Sequence, residues 1–204
     1  MNVNVKRARF RENVEIMKSQ REQIVTFSMA LGCAACREIR NFGKRRLNRL
    51  IRGAYEEITA YYEHYGGDPK EGMLPENIPF LYVGLKNQIK ALDVPADELE
   101  KEFAFTEGFS EWRNPHDREQ RKQRYENLVS MEQVTRAFWY SMILHLWHTY
   151  GWGEERLTRF YRFVQGRYYL TMNEYLKCRE DRDAEMAERM NKAIDAIQKI
   201  GVKL

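Results

Sequence analysis

The chain is poor in the features that mark several common classes of protein. Among its 204 residues there are only three cysteines and five prolines. A small, odd cysteine count argues against a disulfide framework and suits a reducing compartment. No apolar run approaches the roughly 18 residues that a membrane-spanning helix requires. The stretch 1–11 is basic but has no apolar segment behind it, so it does not read as a secretory signal. The expectation is a cytoplasmic protein with no membrane partner. Low-complexity segments are lacking too. What remains, 43% hydrophobic and 13% aromatic residues, is enough to build a core.

Signatures of catalysis are equally scarce. No alternating strand pattern precedes a glycine-rich loop, which argues against a phosphate-binding loop of the strand–loop–helix kind. No pair of Glu-x-x-His motifs offers the ligands of a di-iron bundle. No local signature assembles a Ser, a His and an Asp. The expectation is a protein that binds rather than catalyses.

Charge is unevenly distributed behind a net value of +4. Residues 1–55 hold 13 Lys/Arg against 4 Asp/Glu, residues 56–112 hold 4 against 13, and residues 113–204 hold 17 against 13. Basic flanks around an acidic middle point to internal charge pairing or to a face for an anionic partner.

The strongest pattern is a repeat. Phe42-Gly43-Lys44-Arg45-Arg46-Leu47-Asn48-Arg49-Leu50-Ile51-Arg52 returns 110 residues later as Trp152-Gly153-Glu154-Glu155-Arg156-Leu157-Thr158-Arg159-Phe160-Tyr161-Arg162. Gly, Arg, Leu, Arg and Arg match in register, and an aromatic residue precedes both glycines. Upstream, Glu22-Gln23-Ile24 matches Glu132-Gln133-Val134 at the same offset.

Around this frame the sequence reads as helical. Ser19 with Glu22 and Ser130 with Gln133 resemble capping boxes, which predict helices over 20–41 and 131–150. Gly43 and Gly153 are expected to supply left-handed turns between each helix and the next. The second helices are expected over 44–65, stopped by Gly66-Gly67-Asp68-Pro69, and from 154 towards 177. On a helical wheel Leu50, Ile51, Ala54 and Ile58 share an arc of about 60° on either side of Leu47. Leu157, Phe160, Tyr161, Val164 and Tyr168 occupy the matching arc. The expected fold is all-α: one domain over 1–204, built from repeat one (about 19–66), an insertion (about 67–118), repeat two (about 130–178) and a C-terminal helix (about 179–200). Two hairpins that cannot bury their apolar stripes alone are expected to pack together about a pseudo-two-fold.

Opposite the core arcs lie two rows of arginine, Arg46, Arg49 and Arg52, then Arg156, Arg159 and Arg162. Guanidinium groups three residues apart suit phosphates or carboxylates, so these six are the candidate site for a nucleic acid, a nucleoprotein or a host protein. Charged outer faces are common on amphipathic helices, and the bland alternative is a solvated surface. Cys33-x-x-Cys36 and His145-x-x-His148 form four N/S donors of the kind zinc takes. They stand at different distances from their glycines, and buried thiols with hydrogen-bonded imidazoles account for them more simply. No metal and no cofactor is expected. The segment Ile89–Glu100 resembles a helix-turn-helix, but Asp97, Glu98, Glu100 and Glu102 would repel phosphates, which leaves a structural helix pair or an acidic surface. Trp139, Tyr140, Trp147, Trp152, Tyr161, Tyr168 and Tyr169 read first as core and only second as stacking platforms.

The run His145-Leu146-Trp147-His148-Thr149-Tyr150-Gly151-Trp152-Gly153-Glu154-Glu155-Arg156-Leu157-Thr158-Arg159-Phe160 resembles a pattern in small helical proteins of phages and prophages of Gram-positive bacteria. In that pattern a His precedes aromatic-Gly-aromatic-Gly, two polar residues and Arg-Leu-x-Arg-Phe. The first copy departs from it, with Ala35 in place of His145 and Asn41 in place of Gly151. The resemblance implies an origin and no mechanism. The readings it leaves are a phage protein that binds nucleic acid or nucleoprotein, a protein–protein inhibitor of a host defence (anti-CRISPR-like), and a metal-stabilised scaffold.

Overall fold

The computed structural model describes residues 23–64, 78–105, 115–173 and 180–204. Among these residues there are seven helices and no strand. Helix α1 covers 23–40 and is followed by α2 (Lys44–His64), α3 (Ile78–Lys90) and α4 (Ala96–Glu102). Then come α5 (Pro115–Tyr150), α6 (Glu154–Met172) and α7 (Glu180–Gln198). The protein is all-α. The capping box at Ser19, the stop at 66–69 and the stretch 174–179 lie outside the described residues.

The apolar arcs become the core. Helix α2 buries Leu47, Leu50, Ile51, Gly53, Ala54 and Ile58, and α6 buries Leu157, Phe160, Tyr161, Val164 and Tyr168. Each large apolar side chain so buried contributes about 1.5–3 kcal/mol. Helix α2 packs along α5, α3 packs along the same helix, and α4 lies on α6. Helix α1 meets α5 and α6, with the Trp139 indole N–H donating to the Ser28 carbonyl at 3.0 Å and the Phe27 and Tyr168 rings 6.4 Å apart.

The boundary expected at Ser130 is absent. Helix α5 begins at Pro115 and continues through residue 130 without a break. Proline at the first helical position is the start signal, since its missing N–H would have had no partner there. A serine followed three residues later by glutamine marks a cap only where the preceding chain is not already helical.

Both helix junctions share one hydrogen-bond frame. Asn41 (φ 51°) and Gly151 (φ 61°) are the left-handed residues. Their N–H groups bond the Arg37 and Trp147 carbonyls at 2.8 and 3.1 Å. The Gly43 carbonyl then accepts from Arg46 and Leu47 at 3.0 and 3.2 Å, and Gly153 accepts from Arg156 and Leu157 at 3.1 and 3.2 Å. The expectation for the glycines is therefore corrected. The left-handed turn falls two residues earlier, and Gly43 and Gly153 open the following helices. Gly153 has φ −81° and ψ 172°, an extended conformation open to any residue.

Positions 110 residues apart touch each other. The rings of Phe42 and Trp152 lie 5.7 Å apart, and a Cβ on Gly32 would sit 2.5 Å from the Met142 sulfur. Contact between these matched positions brings both junctions to one end of the molecule.

Candidate functional site

That shared end is charged very differently on its two sides. From Arg37 to Arg52 the chain carries seven Lys/Arg against one Glu, whereas the matched stretch from Trp147 to Arg162 carries three Arg against two Glu. Arg46, Arg49, Arg52, Arg159 and Arg162 are exposed, and Arg156 is half-buried. Arg46 stands 5.6 Å from the centre of the Phe42 ring, and its carbonyl accepts from the Tyr150 hydroxyl at 3.4 Å. Arg52 faces Glu56 at 3.8 Å, and Arg162 faces Glu102 at 3.8 Å, all four strongly exposed. Solvent screening leaves such pairs worth little. Among the described residues Lys44, Arg45, Arg46, Arg49, Arg156 and Arg159 have no carboxylate within ion-pair distance. The two rows lie on separate helices with two unpaired arginines each, and Lys44 and Arg45 add two further unpaired cations beside the first.

Two carboxylates of the acidic insertion, Asp97 and Glu100, are engaged away from the arginine rows. Glu100 of α4 points into a buried cluster, where it accepts from Lys86 at 2.7 Å, Tyr82 at 2.7 Å, Tyr161 at 3.2 Å and Tyr140. Arg136 of α5 stands 3.4 Å from Glu100 and 2.6 Å from Glu132, with only about a tenth of each side chain exposed. Burial pushes the Glu100 carboxyl up, but Arg136, Lys86 and the tyrosines together hold it below its ordinary value. Glu132 is driven the other way, raised by burial against the pull of Arg136. Burial also raises Tyr140 and Tyr161, which keeps their hydroxyls protonated as donors. Asp97 bonds Lys86 and Lys90 at 2.7 and 2.6 Å, and these ammonium groups bring its carboxyl down to about 2. The α3–α4 segment is accordingly a helix pair pinned to α5 and α6 through Glu100, with Asp97 tying α4 to α3 nearer the surface.

Cys33 and Cys36 are fully buried, and burial raises the Cys33 thiol to about 12. His148 bonds Glu57 at 2.9 Å. His145 lies directly against Gly53, where any Cβ would strike its ring, and burial lowers its pKa. No three His, Cys, Asp or Glu side chains gather to hold a metal among the described residues. Trp139, Tyr140, Trp152, Tyr161 and Tyr168 are core, whereas Trp147 leaves 43% of its surface exposed.

Sequence reasoning missed two sets of residues. The Glu100 cluster draws on four helices, and only the spacing of Glu132 and Arg136 at i and i+4 signalled any part of it. The second set lies beyond α7, where the Lys203 N–H donates to the Asn48 side-chain oxygen at 2.9 Å and Val202 is buried. No local pattern links positions 48 and 203. Separately, an apolar cleft of about 100 Å³ opens between α1, α2, α3 and α5, lined by Val25, Tyr55, Ile58, Leu81 and Phe138. No helix among the described residues is long and apolar enough to cross a membrane. No family model matches the chain, nor does any curated protein or solved structure.

Proposed function

We propose that the chain is a binding protein rather than an enzyme, and that it engages the phosphates of a nucleic acid or nucleoprotein through the Arg46, Arg49 and Arg52 row of α2. The observation that carries this reading is the concentration of exposed cations from Arg37 to Arg52, most of them without a carboxylate. Like charges crowded on one helix repel one another unless counterions or a polyanion gather there, and release of those counterions drives phosphate binding. The row Arg156, Arg159 and Arg162 on α6 is a weaker candidate, since Glu154 and Glu155 open that helix beside it. Binding of labelled single-stranded and duplex oligonucleotides across a salt series tests the reading. Affinity should fall steeply as salt rises. Protein that ignores DNA and RNA at low salt would remove it.

A second reading, inhibition of a host protein, draws on a different surface. Phe80 and Val83 on α3 expose about half of their area, and Tyr55 at the apolar cleft exposes 46%. Exposed aromatic and aliphatic groups beside a cleft favour a protein partner whose affinity changes little with salt. The acidic insertion lends this reading less than its composition suggests, because Asp97 and Glu100 already have internal partners.

A further inference from the structure

We infer that residues 199–204 complete the basic face of α2, so that a nucleic-acid strand is held jointly by Lys44, Arg45, Arg49, Arg52 and Lys203. This rests on the phosphate-binding reading and adds to it a segment from the far end of the sequence. After α7 the backbone turns sharply, with the Gly201 N–H bonded to the Gln198 carbonyl at 2.7 Å and Gly201 at φ +79°. Val202 is buried, and Ile200 and Leu204 pack partly against the core, so the segment is anchored. The bond from Lys203 N–H to Asn48 fixes the backbone of Lys203 over α2. Asn48 is a helix-surface neighbour of Lys44, Arg45 and Arg52, at spacings of four, three and four residues. A Cβ on Gly201 would lie 2.7 Å from the Lys44 ammonium, so the Lys44 side chain crosses the segment 199–204 at its glycine. Lys44 and Lys203 are both exposed. Neither has a carboxylate within ion-pair distance among the described residues.

This arrangement brings a further cation to a face already crowded with them, which costs electrostatic free energy unless an anion joins them. The extent of the face selects a polymer. From Lys44 to Arg52 the helix rises ~12 Å, which matches three to four phosphates of one strand at their rise of about 3.4 Å along a duplex axis. A single phosphate would use only a part of it.

The test is fluorescence anisotropy with labelled single-stranded DNA, RNA and duplex DNA of mixed sequence, at low and at moderate salt. Wild type is compared with Lys203→Glu, Asn48→Ala and Lys192→Glu, the last an exposed charge change on α7. Lys203→Glu should weaken binding about tenfold and lower the salt slope by about 0.7–0.9. Asn48→Ala should act in the same direction more weakly, with unchanged thermal unfolding, and Lys192→Glu should bind as wild type. The three probes identify which nucleic acid supplies the phosphates. Equal binding by Lys203→Glu and wild type, while Arg49→Glu loses affinity, overturns the inference and leaves the α2 reading standing. Wild type that binds none of the probes overturns both. Should Asn48→Ala unfold, the exposed Lys203→Glu decides the matter alone.

Discussion

Among the described residues, α1 and α2 bury no charged side chain, whereas α5 buries a charged pair, Glu132 and Arg136. Glu132, Arg136, Tyr140 and Tyr161 form the buried cluster of α5 and α6 with Glu100, whereas Thr26, Ala30 and Ile51 stand at the positions matching Arg136, Tyr140 and Tyr161. Conversely, Lys44 and Arg45 open α2 where Glu154 and Glu155 open α6. The same turn, with the same hydrogen bonds, supports both. A junction fixed by backbone geometry and by the Phe42–Trp152 contact leaves the remaining side chains free to take on different tasks. The buried charges specify how the α3–α4 pair docks, and the exposed ones remain available to a partner.

Removing the internal charge should give the largest effect. Glu100→Ala leaves Arg136 with Glu132 alone and Lys86 with Asp97 alone, and takes the acceptor from Tyr82 and Tyr140. It should cost about 3 kcal/mol in urea denaturation. The pH dependence has a definite sign. The folded-state pKa of Glu100 lies below its ordinary 4.5, so its stabilisation is present above that value and is lost as pH falls through the folded pKa. Glu132, with its pKa raised, favours the folded state at the acid side instead and loses that contribution as pH rises. Glu100→Gln should shrink the acid limb of the stability curve and leave the share that Asp97 carries; a limb of unchanged size would break the distinction between inner and outer charge.

Next in size is the effect of reversing the exposed rows. Replacing Arg46, Arg49 and Arg52 together with Glu should reduce oligonucleotide affinity about a hundredfold, near 2.7 kcal/mol, with the helical circular dichroism retained. The same change at Arg156, Arg159 and Arg162 should cost about tenfold. Equal losses would show that the two rows act as one surface.

Smaller still are the two left-handed residues. Gly151→Ala should destabilise by about 1 kcal/mol, because alanine resists positive φ. Asn41→Gly should change stability by only a few tenths of a kcal/mol, asparagine being the side chain best suited to that conformation. Thermal unfolding distinguishes them. The smallest effect is expected at the helix openings, where a Cβ on Gly43 or Gly153 meets nothing within 4 Å. Gly43→Ser should be neutral or stabilising by a few tenths of a kcal/mol, by offering a side-chain cap to α2.

Much of the bundle was legible because its signals are local. The apolar arcs of α2 and α6 follow from a spacing of three and four residues, and the helix pair Ile78–Glu102 is bounded by its own turn. The glycines misled because a repeated residue was assigned the strained position, which Asn41 and Gly151 in fact occupy. Serine 130 misled because its pattern is the same in the middle of a helix as at its start. The six arginines were legible as outward rows and as an unequal pair, since Lys44 and Arg45 stand beside the first row and Glu154 and Glu155 beside the second, whereas the approach of the segment 199–204 to α2 was not. Glu100 could not have been found from spacing: its partners come from α3, α5 and α6.

The seat of His145 against Gly53 couples two positions far apart in the sequence. At the matched positions the sizes are exchanged, with Phe163 in place of Gly53 and Ala35 in place of His145. A Cβ at 53 would overlap the ring, so a side chain there requires the imidazole to swing away. Substitutions at 53 and 145 should therefore not be additive, each setting the cost of the other.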